Sequence, residues 1–298
     1  MRGPEHHGTI RTRAVTGLAV PEAVSSPRRS PDDPAVADAD GVAAQRAPPD
    51  AVSEEEYEMT GQELNGARVL VVGGARDIGL AIVKAVAQAG GAPIIGARNP
   101  EKGQKAAAGV PGAEFVLIDI TDENSIVAGL SAAGHLDHVV VTTSAQHNVA
   151  VTKLDHDLAV GAFEAKVIGP LILAKHLAPL LPPTGSITLF AGVAAWDPTP
   201  GYTVMGITNG AVSTAASQLA KELAPLRVNA ISPGIIDSGS YDVMSPKAKR
   251  EFLDRSAKHS LVGRVGTNKD IADTVLWLLT ANYVTGETVH VDGGTRFA

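Results

Sequence analysis

Not one of the 298 residues is a cysteine, which excludes disulfides, thiolate zinc sites and cysteine nucleophiles. An excess of positive charge is also missing. The net charge is −7, aromatic residues make up 4% of the chain, and no basic stripe is interleaved with them, so no nucleic-acid partner is expected. No apolar run reaches the roughly 18 residues that a bilayer-spanning helix needs, so no membrane partner is expected either. Nine histidines invite a metal reading. His135 and His138 flank the start of an apolar run, but no carboxylate joins them at a ligand spacing, and no metal site is expected. What is present is ordinary: 44% apolar and 19% charged residues, the mixture of a soluble globular protein with a cytoplasmic location.

Residues 1–58 differ from the rest. They hold seven prolines, several arginines, the acidic run Glu54-Glu55-Glu56 and almost no large apolar residue. Such a stretch buries too little surface to offset its ordering entropy, and it lacks the apolar core of a secretory signal. Two readings stand side by side: a disordered extension, or a misassigned start with Met59 as the true first residue.

From Leu64 onward short β-branched runs alternate with helical stretches. "ARVLVVGG", "APIIGAR", "AEFVLIDI", "LDHVVVTT", "GSITLF", "LRVNAIS" and "ETVHVDG" read as buried strands. "IGLAIVKAVAQAG", "FEAKVIGPLILAKHLAPLL" and "AVSTAASQLAKELAPL" read as helices between them, with Gly90 and Gly91 suited to a helix C-terminus. Strands apolar on both faces, alternating with helices, imply a parallel sheet covered on both sides. The expected fold is α/β: a doubly wound parallel sheet of Rossmann type, three layers, one domain over residues 59–298.

The first strand runs into "VVGGARDIG", where Gly73, Gly74 and Gly79 mark a strand-to-helix turn. Glycines there let backbone approach a pyrophosphate, and the helix N-terminus offers free N–H groups. Asp77 departs from this logic, because a carboxylate near a pyrophosphate is repulsive unless it turns away, for instance to cap the helix. No acid stands at the end of the second strand, where an NAD-binding chain places one. Arg98 stands there instead, and Arg76 lies in the glycine turn, so two guanidiniums favour the 2′-phosphate of NADP, with NAD as the alternative. Asp119, at the end of the third strand, is placed to meet the adenine edge.

These residues, in this order, resemble the short-chain dehydrogenase/reductase family over residues 64–298. "LRVNAISPGIIDS" is similar to the family's segment after the sixth strand, and "VGRVGTNKDIADTVLWLLTANYVTGETVHVDGG" to its last helix and strand. The resemblance implies a cofactor cleft of Gly73, Gly74, Arg76, Asp77, Ile78, Gly79, Arg98, Asp119, Ile120, Pro233, Gly234, Ile236 and Ser238, with Ser238 meeting the nicotinamide carboxamide. It also implies a lid over residues 238–262, where Tyr241, Met244 and Phe252, joined by Trp196, line an apolar pocket or simply pack. A homodimer or homotetramer is implied as well.

The family's catalytic pattern is a tyrosine, a lysine four residues later, a serine thirteen residues earlier and an asparagine on the preceding long helix. Counted from "SQLAKEL", those positions hold Met205, Asn209, Gly192 and Lys166 here. Tyr202 lies three residues before the tyrosine position, in "TPGYTVMGITNGAV", where Pro200 and Gly201 favour a loop entering the helix. Asparagine and lysine have exchanged places, so the ammonium of Lys166 is expected to face Asn209 from the opposite helix. The candidate catalytic residues are therefore Tyr202, Lys166 and Asn209. Three functions stay open: an NADP-dependent oxidoreductase acting on a small carbonyl or alcohol through a rebuilt site, an inactive dinucleotide-binding sensor or partner subunit, or non-redox chemistry on the same fold.

Overall fold

The computed structural model describes residues 64–298, and the N-terminal segment with its acidic run lies outside them. All seven strands anticipated from the sequence form. They are β1 (Arg68–Val72), β2 (Ala92–Ala97), β3 (Glu114–Leu117), β4 (His138–Val141), β5 (Ser186–Phe190), β6 (Arg227–Pro233) and, last in the chain, β9 (Thr288–Val291). They pair side by side, all parallel, in the order β3-β2-β1-β4-β5-β6-β9. Two short strands, β7 (Ile236–Asp237) and β8 (Gly266–Thr267), form a separate parallel pair.

Parallel strands need crossovers, and helices supply them on both faces. On one face lie α1 (Asp77–Gln88), α2 (Pro100–Ala108) and α8 (Asn268–Thr280), packed through Ile82, Val83, Val86, Ile271 and Val275 against Val69, Val71, Ile95 and Ile231. On the other lie α3 (Glu123–Ala133), α4 (His156–Phe163), α5 (Gly169–Leu177) and α6 (Thr203–Glu222). There Ile126, Leu130, Leu173, Leu177 and Val212 meet Leu70, Ile94, Val139 and Ile187. Alternate residues of each strand serve opposite faces, so the period of two and the near-absence of polar strand residues have one cause. A further helix, α7 (Pro246–Lys258), rises after β7. The strand order reverses between β1 and β4, and in such sheets the crevice beyond the strand ends at that point receives the ligand.

One feature of the long helix was not legible as such. Between α4 and α5 the chain makes a π-turn, Glu164–Ile168, in which the Gly169 N–H reaches back to the Glu164 carbonyl. Pro170 follows and has no N–H to give, so a backbone carbonyl in this turn loses its helical donor. The Thr143 hydroxyl donates to the Ala165 carbonyl at 3.0 Å and fills that gap. The widened turn carries Lys166, and its side chain is buried.

Candidate active site

The nucleotide end of the crevice is the turn from β1 into α1. Gly73 has φ +93, and a β-carbon on it would run into the Thr142 hydroxyl, so both conformation and contact require glycine. A β-carbon on Gly79 would run into the Gly73 carbonyl, which explains the glycine one helical turn in. The first bond within α1 runs from the Leu80 N–H to the Arg76 carbonyl, so the N–H groups of Asp77, Ile78 and Gly79 open the helix without intrahelical partners. Arg76 and Arg98 are both exposed at this end. Among the described residues Arg76 makes one ion pair, 3.2 Å to Asp77.

The suggestion that Asp77 turns away to cap α1 needs correction. The N-cap is Arg76, no side chain caps it, and Asp77 is the first helical residue at φ +50. Asp119 is tied into its own turn, its Oδ1 accepting from the Thr121 N–H at 3.0 Å and the Thr121 hydroxyl at 2.8 Å. Ile120 and Ile236 bury their side chains in the two cores. Pro233 ends β6, and Gly234 packs so closely that a β-carbon would stand 2.8 Å from the Asp292 Cα. Ser238 is buried, and its hydroxyl shares a 2.9 Å hydrogen bond with that of Ser240.

The other end of the crevice lies where β4, β5 and β6 finish. Lys166 is 6% exposed, so its aliphatic stem does not carry the charge out to water. Its Nζ donates to the Ala191 carbonyl, just past β5, at 3.2 Å. Burial pushes the amine down to about 8, because removing an ammonium from water disfavours the charged form. Asn209 is 2% exposed on α6 and does not meet the ammonium as expected. Its Oδ1 is buried and takes no hydrogen bond among the described residues. A β-carbon at Gly192 would stand 2.8 Å from Asn209 Nδ2, so the amide occupies the space a side chain at position 192 would need. Lys166 and Asn209 therefore converge on adjacent residues of one segment, Ala191 and Gly192, without bonding to each other.

Tyr202 is the N-cap residue of α6, half-buried, as the Pro-Gly pair before it suggested. Met205, in the first turn, offers no proton. Gly206 lets α6 approach the loop after β5, since a β-carbon there would stand 2.8 Å from the Ala194 carbonyl. One neighbour of Tyr202, Tyr241, was not singled out for chemistry. Tyr241 lies close enough that burial, and then the Tyr202 phenol, push its hydroxyl up to about 12. Tyr241 also stacks on Phe252 of α7, ring centres 4.7 Å apart. Trp196 does not join that pair; it meets His290 of β9 edge-on, with centroids 4.5 Å apart. His259 of the α7 cap reaches Asp197 at 3.3 Å, which ties α7 to the loop carrying Trp196.

No metal-binding cluster exists among the described residues. His135 bonds Asp137 at 3.1 Å, and His138 Nδ1 meets the Ser186 hydroxyl at 2.9 Å. Burial, followed by the Arg227 charge, lowers His138 to about 4, so it is neutral at pH 7. No described helix is long and apolar enough to cross a membrane.

Comparison with known proteins agrees with this architecture. The sequence profile of the family described as enoyl-(acyl carrier protein) reductase matches residues 73–296. L-Xylulose reductase of Bos taurus is 30% identical over 246 residues, which span 78% of this chain and 97% of that protein. The short-chain dehydrogenase/reductase ucsE of an Acremonium species is 28% identical over 260 residues, 80% of this chain and 98% of its own. Among solved structures, a small-chain dehydrogenase in complex with NADPH superposes with a TM-score of 0.67 at 30% identity, covering 78% of this chain and 99% of that one.

Proposed function

Because the chain belongs to the short-chain dehydrogenase/reductase family of oxidoreductases, we propose that it is an NADP-dependent enzyme acting on a small carbonyl or alcohol through a rebuilt proton-transfer site. The residues present suit such a cofactor. The turn Gly73–Gly79 presents unpartnered N–H groups of the kind that hold a pyrophosphate, and the exposed Arg76 and Arg98 supply positive charge for a 2′-phosphate. The relative solved with NADPH supports the same choice. When bound, the dinucleotide supplies or accepts the hydride.

The chain's own residues handle charge and protons. The Lys166 ammonium is suited to stabilise negative charge on a substrate oxygen, since an oriented charge away from water acts strongly. With its amine lowered to about 8, Lys166 can also release a proton near neutral pH, which an ordinary lysine does poorly. Asn209 holds an unfilled acceptor that a substrate hydroxyl would satisfy. Tyr202 is the remaining candidate donor, and Tyr241 beside it stays protonated throughout the working range. The observation that carries this reading is the burial of Lys166. An ammonium kept from water, with a single carbonyl partner among the described residues, is expensive to keep for packing alone.

One observation favours a second reading. Gly192 and Met205 remove the oxyanion donor and the acid from the positions where relatives are expected to carry them, as in a dinucleotide-binding sensor. Loss of a general acid costs about 10²–10⁴-fold in rate. Single-turnover oxidation of NADPH against carbonyls, imines and activated alkenes separates the two. Turnover that falls with Lys166→Ala supports the enzyme. Tight NADPH binding with no turnover on any substrate refutes it in favour of the sensor.

A further inference from the structure

Asp77 occupies a position where its conformation carries a cost and its charge works against the expected ligand. Its φ of +50 lies in the left-handed region, which a residue with a β-carbon enters at a cost and which aspartate and asparagine tolerate best. The carboxylate does not cap α1. One oxygen pairs with Arg76 at 3.2 Å. The other lies 2.9 Å from where a β-carbon on Gly239 would stand. Gly239 follows β7, at the base of the segment leading to α7, so this carboxylate faces the foot of the lid. A second carboxylate, that of Asp242, has an oxygen 3.7 Å from the same point, although Lys249 holds its other oxygen at 2.7 Å. The N–H groups that a pyrophosphate would use belong to Asp77 itself and the two residues after it.

We propose that Asp77 is an affinity-setting latch: a carboxylate standing between the glycine turn and the lid base that repels a pyrophosphate and weakens dinucleotide binding. The inference rests on the NADP reading above and adds to it a residue that opposes the cofactor. A chain that bound NADP(H) only for retention would gain from glycine here, in both conformation and charge. A chain that must release the oxidised or reduced dinucleotide on every cycle gains from a carboxylate that repels its phosphates. Release of this kind limits turnover in many enzymes. Arg76 is 81% exposed, so its pairing with Asp77 is weak and freeing it changes little.

The test is calorimetric titration of the full chain and of Asp77→Asn with two ligands, NADPH and adenosine 2′-monophosphate. Asparagine keeps the size and tolerates positive φ, so the variant preserves the turn. The second ligand carries the 2′-phosphate but no pyrophosphate. NADPH is expected to bind about tenfold tighter to Asp77→Asn, with slower dissociation, while adenosine 2′-monophosphate changes by less than about twofold. Asp77→Gly should move NADPH affinity in the same direction. Unchanged or weaker NADPH binding in both variants overturns the proposal, as does equal tightening of the two ligands, which would place the effect on Arg76. NADPH binding by the two Asp77 variants but not by the unaltered chain supports the latch. If neither ligand binds any of the three proteins, the cofactor reading falls and the latch with it.

Discussion

Replacing Lys166 with methionine should make the protein more stable at pH 7 and less active. The amine is buried and lowered from 10.5 to about 8. A displacement of that size means that holding the ammonium in the fold costs about 3 kcal/mol relative to water. Methionine fills nearly the same unbranched volume without charge. Its one loss is the hydrogen bond to the Ala191 carbonyl, worth about 1 kcal/mol. The net gain is about 2 kcal/mol, or roughly 4–8 °C in melting temperature for a domain of this size. The sign of the pH dependence follows from linkage. Between about 8 and 10.5 the unfolded chain binds the lysine proton more tightly than the folded one, so wild-type stability rises with pH across that window. The advantage of Lys166→Met is therefore full below pH 8 and shrinks as pH rises toward 10.5. Urea unfolding at pH 7 and at pH 10 measures both terms. A variant less stable than wild type at pH 7, or a difference that does not change with pH, refutes the reasoning. NADPH-dependent turnover should fall more than tenfold at the same time. A stabilised variant with intact turnover would show that the lysine is not kept for chemistry.

Cofactor choice is tested at Arg98, where Arg98→Asp should abolish or reverse a preference for NADPH over NADH in fluorescence titration, and equal affinities in the unaltered chain would refute the preference. Tyr202→Phe keeps the ring and removes only the hydroxyl, so a loss of rate above about tenfold identifies the acid, whereas an unchanged rate leaves Lys166 or water as the proton source. Gly192→Ser alone should destabilise the fold, because its β-carbon would meet Asn209 Nδ2 at 2.8 Å; the same serine should be tolerated once Asn209→Lys, Met205→Tyr and Lys166→Asn accompany it, and thermal melting of the single and quadruple variants decides. The outer faces of α4–α6 expose Leu158, Ile168, Leu171 and Ile207, so light scattering should report a dimer or tetramer at micromolar concentration that Ile207→Glu weakens, and a monomeric wild-type protein would count against this.

Much of the nucleotide end was legible because its constraints are local. Gly73 and Gly79 are required by a turn of a few residues, and the same few residues appear in the sequence as a glycine cluster after a β-branched run. Asp77 was recognised as a departure there, but its direction was not. Its carboxylate faces Gly239, more than 160 residues away in the chain. The lid shows the same limit. Tyr241 and Phe252 meet as neighbours of one segment, whereas Trp196 turns to His290, a partner that only the sheet order supplies.

Periodicity and spacing along the chain were enough to read the architecture and to expect a departure from the usual catalytic pattern. Strand and helix periods repeat every two or 3.6 residues, and the spacing of Gly192, Met205 and Asn209 can be counted along the chain. Only the packed structure shows what surrounds the residues at those positions. Lys166 and Asn209 were expected to bond each other, because two helices were known to face one another. The π-turn before Pro170, braced by Thr143, instead accompanies an ammonium held by the Ala191 carbonyl, while the absent side chain at Gly192 leaves room for the Asn209 amide. A side chain's partner depends on the angles and separations of elements distant in sequence, and those are settled by packing the whole core.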